Sequence, residues 1–386
     1  MSVLGNMRGI QMNLLIGPSP VALPMPPDAM EAVEALEVKL SDKGESGFKL
    51  VLRAGRNGPR DLLETPFVSN PSFAEQARLI VTMIFGVRPT VIFDGLVAKR
   101  YILPGDRPDE GWLVLLGRDL SFEMDREVET KAHPAMDETA IANLIALAYA
   151  QFGMIPKVTP PKSIDPPLPV ERTPQQRCSD WAYLKLMARR HGYETYVDPG
   201  PVPGTNRLYW GPPVRRTVQQ RTIRVNVGPA SDAYNVRVSH SAEDLAIVEA
   251  EVLDKKSGKA MPVKAMTPSR RPLGAVPEGS RRMGKTRKET IRTSGLSSAQ
   301  AKARAQALVD DSASDVVCVT GTLDSAKYNA ALKARDNVDL SGVGTKFDGT
   351  YKVAEVRHCI RPGSYTQEFV LTRSELGPLT PLARTR

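Results

Sequence analysis

The chain is poor in the residues that most often carry chemistry. Its 386 residues include three cysteines and four histidines. Cys178, Cys318 and Cys359 are odd in number and far apart, which argues against a disulfide framework or a CxxC metal knuckle. A reducing compartment is the simplest reading of that usage. His133, His191, His240 and His358 lack the spacing of metal pairs such as HExxH, and each reads as a surface or half-buried side chain. No nucleophile elbow, P-loop or dinucleotide-binding glycine pattern is present. Gly342-Val343-Gly344 is faintly like a phosphate loop, but a turn between two strands explains it better. Asp106, Asp109 and Glu110 sit in a Pro/Gly-rich loop without an apolar pocket to raise a carboxyl pKa. A solvated loop is therefore preferred there to a glycosidase-like pair. No catalytic, cofactor-binding or metal-binding residue is assigned, no cofactor is expected, and the chain is not read as an enzyme.

Long apolar runs are also missing. Nothing approaches the ~18 apolar residues of a membrane span, so no membrane anchor is expected. Ile10–Ile16 follows Arg8, but Gln11 and Asn13 interrupt the run and no small-residue cleavage site follows closely. We read no secretion signal.

Proline and charge are what the chain has in excess. There are 32 prolines, and the formal net charge is +9. Twelve basic residues and two acids, Glu278 and Glu289, fall between Lys255 and Arg292, so the basic excess belongs to that one segment. The segment contains no aromatic residue and offers no stacking platform for single-stranded nucleic acid. Nonspecific phosphate contact and docking on an acidic protein surface both remain open, but nucleic acid is not the expected partner. With few apolar residues to offset the cost of ordering, the segment is expected to be a mobile loop.

At about 150 residues per domain, the length suits two to three domains. Ile10–Ile16, Leu36–Leu40 and Phe48–Leu52 read as strands, the last two as a hairpin around Ser41–Gly47. Leu79–Phe85 fits helix or strand; its β-branched content, with Gly86 and Pro89 beyond, favours strand. Val91–Ile102 and Trp112–Leu116 continue the pattern. The middle differs. Ile141, Leu144, Ile145, Ala148 and Phe152 form a helical stripe, and a second helix is expected from Thr173 with Pro174 at its first position. Cys178, Trp181, Leu184 and Ala188 would be its apolar face. Between them, seven prolines in 156–174 call for extended chain. Strands return at Tyr193–Val197, Leu208–Trp210, Thr222–Val227, Tyr234–Ser239 and Ala246–Leu253. A short alanine-rich helix from Ser297 or Ser298 to Leu308 separates these from Val316–Thr320, Val338–Leu340, Tyr351–His358 and Tyr365–Arg373.

Three stretches carry a resemblance. Arg172–Val197 has a polar entry, then Asp180-Trp181-Ala182-Tyr183-Leu184, then Ala188-Arg189-Arg190-His191-Gly192-Tyr193 leading into an aromatic strand. Phe347–Arg373 has Gly349-Thr350-Tyr351-Lys352-Val353, then Val356 and His358, then Pro362-Gly363-Ser364-Tyr365 and Phe369-Val370-Leu371-Thr372-Arg373. More weakly, Phe93-Asp94-Gly95-Leu96-Val97 is followed by Gly117-Arg118-Asp119-Leu120 and Met124-Asp125-Arg126. Together these resemble the baseplate hub proteins of contractile phage tails and contractile injection systems. That family includes phage late-control protein D and the hub part of VgrG-type spike proteins.

The resemblance covers about half the chain. It implies a β-rich α+β fold: two tube-like β-barrel domains with a small inserted α/β module. The boundaries it suggests are 1–124 for the first tube-like domain and 125–206 for the module, with its Pro-rich linker at 156–174. The second tube-like domain would take 207–254 and 313–386, with 207–216 open between the two, and 255–312 would be the basic loop plus a short helix. It further implies a homotrimer acting as structural adaptor between a sixfold inner tube and a threefold spike. Its partners would be the inner tube protein, the spike protein and baseplate wedge proteins. Assembly would occur in the cytoplasm, followed by incorporation into a phage tail or injection particle. The chain stops soon after Arg373, so the spike is expected to be another polypeptide. A tail-tip cell-wall hydrolase and a DNA-contacting tail protein are the alternatives.

Overall fold

The computed structural model describes residues 9–55, 67–107, 109–161, 173–213, 219–240, 246–253, 260–265, 269, 273–277, 287–290, 298–312 and 317–378. The fold is β-rich α+β, with three hydrophobic cores.

The first unit contains β1 (Ile10–Gly17), β2 (Leu23–Pro24), α1 (Pro27–Glu31), β3 (Val33–Ser41), β4 (Gly47–Arg53), β5 (Arg78–Phe85), β6 (Arg88–Pro104) and β7 (Gly111–Asp119). Period two governs β1, β3 and β4. Ile10, Met12, Leu14 and Ile16 of β1 are buried, while Gln11 and Asn13 between them face solvent. β5 is buried along nearly its whole length, which explains why its sequence lacked alternation. It runs antiparallel to β1 and to β6, and Phe85 pairs with Arg88 across a two-residue turn. The expected β3–β4 hairpin is present.

The middle unit contains α2 (Ser121–Met124), β8 (Glu129–Ala132), α3 (Glu138–Ala148), β9 (Met154–Val158), β10 (Gln175–Cys178), α4 (Asp180–His191), β11 (Glu194–Pro199) and β12 (Asn206–Gly211). Asp137 caps α3 by accepting the Ala140 N–H at 2.8 Å. Ile141, Ile145, Trp181, Leu184, Met187 and Trp210 fill the core. Leu144, assigned to the buried stripe, is 47% exposed. The second helix begins later than Thr173. Ser179 caps it through the Ala182 N–H, and Gln175–Cys178 is a strand paired with β8. A Ser-Asp start satisfies the free N–H groups better than the Thr-Pro pair upstream. Gly192, at φ +66°, ends α4 in the left-handed conformation. β12 lies between β11 and β9, so 207–211 belongs to the middle sheet rather than to either β region. The start of the proline-rich stretch runs extended, as expected, with Pro156–Val158 forming the end of β9. Residues 162–172 lie outside the described residues.

The third unit contains β13 (Gln219–Arg224), β14 (Ala233–His240), β15 (Ala246–Leu253), β16 (Ala260–Ala265), β17 (Gly274–Pro277), β18 (Arg287–Thr290), α5 (Ser298–Ser312), β19 (Val317–Asp324), α6 (Ser325–Tyr328), β20 (Asn337–Ser341), β21 (Gly349–Arg361), β22 (Ser364–Arg373) and β23 (Glu375–Pro378). Where a loop was expected, most of the described residues of the basic segment are in strands, Ser269 and Leu273 excepted. β16 and β18 flank β15, and β17 pairs with β23. Backbone ladders stabilise such strands without demanding apolar side chains. The rest of the segment lies outside the described residues. α5 packs against β15, β16 and α4. Gly192 abuts it so closely that an added Cβ would sit 2.4 Å from that of Ala307.

The first and third units repeat one plan. In chain order, six strands of the large sheet correspond: β1, β3, β4, β5, β6, β7 in the first unit and β13, β14, β19, β20, β21, β22 in the third. In both, the lateral order is second, third, sixth, fifth, fourth, first. The long fifth strand carries a bulge at the same place, at Ala98 in β6 and Ala354 in β21. One difference is that β1 runs antiparallel to β5, whereas β13 runs parallel to β20. The units share one 13-stranded sheet, joined where the outer half of β21 pairs antiparallel with β3, from Glu355 opposite Ser41 to Ile360 opposite Leu36.

Candidate assembly surface

Two polar clusters fix the units against each other. In the first, Arg78 of β5 donates from Nε and Nη2 to both carboxylate oxygens of Asp94 on β6, at 2.9 and 2.7 Å. The pair is almost fully buried. Arg78 also donates to the carbonyls of Pro20, Phe152 and Gly204, at 2.7, 2.9 and 3.2 Å. Asn206 donates to Asp94 at 2.8 Å. Every contact beyond the pair itself, except that to Pro20, reaches into the middle unit. Losing either partner would leave a buried charge uncompensated where the first and middle units meet.

The second cluster centres on Arg335. Its guanidinium lies 4.1 Å from the Tyr196 ring centroid, donates to Asp198 at 2.8 Å, and donates to the Ser41 carbonyl at 2.5 Å. One side chain thus touches all three units at the β3–β21 join. Lys352 adds an ion pair with Asp42 at 2.9 Å.

Of the titratable side chains singled out in the sequence, His133, His191 and His358 are held by neighbouring side chains. His133 bonds Gln176 at 3.3 Å and stacks on Tyr183. His191 contacts Glu138, which also receives Arg190 at 2.8 Å. Burial alone would raise the Glu138 carboxyl, but the hydrogen bonds and charges of His191 and Arg190 outweigh it and hold it below its usual range. His358 is fully buried on β21 and meets the Tyr365 hydroxyl at 2.9 Å. Burial pulls it down to about 4, against a smaller opposing bond to the Leu332 backbone. His240 ends β14 at the surface. Asp106, Asp109 and Glu110 are exposed in the β6–β7 loop. Gly342-Val343-Gly344 forms a turn between β20 and β21, closed by the Val343 N–H donating to Asp348 at 2.9 Å. Among the described residues, no three His, Cys, Asp or Glu side chains are grouped to hold a metal ion. No helix there is long and apolar enough to cross a membrane.

What the surface offers is strand edge. β14 pairs with β19 alone among the described residues, and beyond Val97 β6 pairs with β7 alone. Ile102 and Leu103 on that half of β6, which has no second strand partner among the described residues, are 42% and 47% exposed. Neither edge nor clamp was assigned from the sequence. A trace existed in Val97-Ala98-Lys99 and Val353-Ala354-Glu355, two Val-Ala pairs before a charge at the two bulges.

No protein-family model and no curated protein matches the sequence. Solved structures do match the fold. The tail protein of Neisseria meningitidis MC58 aligns with TM-score 0.62 at 13% identity, over 95% of this chain and 97% of its own. The 43 kDa tail protein of prophage MuSo2 from Shewanella oneidensis gives 0.61 at 11% identity, over 95% and 98%. The E. coli c3393 protein, a type VI secretion component described as similar to the T4 tail proteins gp27 and gp5, gives 0.54 at 8% identity, over 88% and 73%. The chain has the fold of phage tail proteins and of this type VI secretion component.

Proposed function

We propose that the chain is the structural baseplate hub of a contractile tail-like particle: a trimeric adaptor between a sixfold inner tube and a threefold spike, without catalysis. The observation that carries this reading is the repeat. Two units with one strand order, in one chain, turn threefold symmetry into six similar units. The first and third units are then the tube-like domains, and the middle unit with the insertion at 241–316 faces the surrounding baseplate. The inner tube, spike and wedge proteins are its partners, and the assembled particle is its location. The fold shared with tail proteins supports the same reading. Cryo-electron microscopy of the particle tests it. Three copies in a ring of six similar units are expected; six copies, or a position away from the tube–spike junction, would overturn it.

A further inference from the structure

We propose that the cleft between α4, α5 and the β3–β4 turn is a docking site for an acidic peptide segment of another protein, anchored by apolar side chains. The cleft lies within one chain, so its occupation does not depend on closure of a ring.

The cleft measures about 440 Å³ and is lined from all three units. That is within the ~300–1,000 Å³ of ligand pockets. Its floor is apolar. Ala188 of α4 and Gly192 at the end of that helix meet Ala307 and Leu308 of α5, and Gly192 brings the two helices into close approach.

Four cations surround this floor: Lys43 in the β3–β4 turn, Lys185 and Arg189 on α4, and Arg304 on α5. Lys185 and Arg189 are one helical turn apart, and like charges at that spacing repel. The Lys185 ammonium lies 5.1 Å from the Trp181 ring centroid. Among the described residues, neither Lys185 nor Arg189 has a carboxylate within ion-pair distance. Two acids also line the cleft, but both face Lys352, Asp42 at 2.9 Å and Glu194 at 4.0 Å. Lys185 and Arg189 are therefore positive charge that folding leaves uncompensated beside an apolar floor. A partner carrying carboxylates would relieve their repulsion.

The geometry also selects the class of anion. A phosphate site focuses N–H donors on one point, as a helix N-terminus or a backbone nest does. Here the helix end in the cleft is the C-terminus of α4, which carries partial negative charge. The cations stand on separate elements around the floor instead. An extended peptide suits that arrangement, because its successive side chains point to opposite faces. Alternating apolar and acidic residues would lay one set on Ala188, Ala307 and Leu308 and present the other to the long cationic side chains at the rim. The peptide's own N–H groups are compatible with the carbonyl-bearing end of α4, where a phosphate would be repelled.

Fluorescence anisotropy with the full chain tests the site. The probe is a fluorescein-labelled Glu-Leu-Glu-Leu-Glu-Leu-Glu peptide in low salt. Saturable binding is expected, weakened at least tenfold by Arg189→Glu and abolished by Lys185→Glu combined with Arg189→Glu. Arg88→Glu, a reversal at an exposed arginine at the start of β6, should change it less than twofold. Replacing the leucines of the probe by serine should weaken it at least fivefold. Should the charge reversals misfold by circular dichroism, Arg189→Gln removes the same cation and should weaken binding about threefold. No saturable binding, or equal binding by the parent and the Arg189 variants, would overturn the proposal. Tripolyphosphate displacing the probe at a lower concentration than unlabelled peptide would overturn it too, in favour of a phosphate site.

Discussion

Gln76 and Arg335 occupy the same backbone position in the two β units. Each is a non-glycine residue in the left-handed region, at φ 67° and 69°. Each donates its N–H at 2.8 Å to the carbonyl of the valine before the bulge, Val97 or Val353. The backbone turn is shared while the side chains diverge. Gln76 reaches the exposed Arg126, whereas Arg335 forms the clamp on Tyr196, Asp198 and Ser41. Glycine should separate backbone from side chain. Gln76→Gly relieves the left-handed strain and should be neutral or stabilising by up to about 1 kcal/mol. Arg335→Gly gains the same relief but leaves Asp198 without this partner, and should destabilise by about 2 kcal/mol or more. Urea unfolding of the two variants checks the difference in sign.

The Arg78–Asp94 pair should show the asymmetry of buried charges. Arg78→Met alone strands a buried carboxylate and should cost about 3–5 kcal/mol. Arg78→Met combined with Asp94→Leu removes both charges and should cost clearly less than the two single changes added together. A double-mutant cycle in urea measures this; additivity would show that the pair does not act as a unit.

Trp181 is 5% exposed in the middle core, with the Lys185 ammonium 5.1 Å from its ring centroid. Trp181→Ala should destabilise by about 3–5 kcal/mol. Its fluorescence in the native protein should be blue-shifted and poorly quenched by acrylamide. Ready quenching with unchanged stability would contradict the packing.

His358 makes stability depend on pH in a defined direction. Its folded pKa is lowered from 6.5 to about 4, so below pH 6.5 the unfolded chain takes up the proton first. Its contribution is therefore complete above pH 6.5 and is lost as pH falls towards 4, by roughly 3 kcal/mol across the whole window at 1.36 kcal/mol per pKa unit. His358→Gln cannot titrate, so its unfolding free energy should fall less steeply between pH 7 and 5 than that of the parent. Parallel slopes would show that His358 is not protected from protonation.

The strands were legible because burial on one face writes period two into β1, β3, β4 and β21. β5 was ambiguous because it is buried on both faces, and only its β-branched content decided it. The start of α4 was misplaced because two capping signals lie six residues apart and the downstream one wins through Ser179. In the basic segment, strand pairing overrode a composition that read as loop. The clamps were not legible at all. Arg335 and Ser41 are 294 residues apart, and no local period links them. The repeat left in residues only the two Val-Ala pairs at the bulges, because what it conserves is strand order, a bulge and a φ angle.

The β3–β21 join also orders events on the ribosome. Leu36 lies opposite Ile360, so the first unit is synthesised long before the strand that covers its edge exists. Until residues 349–361 emerge, β3 carries bare backbone donors and acceptors along the edge that β21 will occupy. Pairing over such a span is slow, because chain entropy is lost before the contact forms. The nascent first unit is thus a template for the wrong strand as much as for the right one, and its protection must come from outside the chain or from the speed of elongation. A fragment ending before Gly349 would keep that edge open permanently and associate through it.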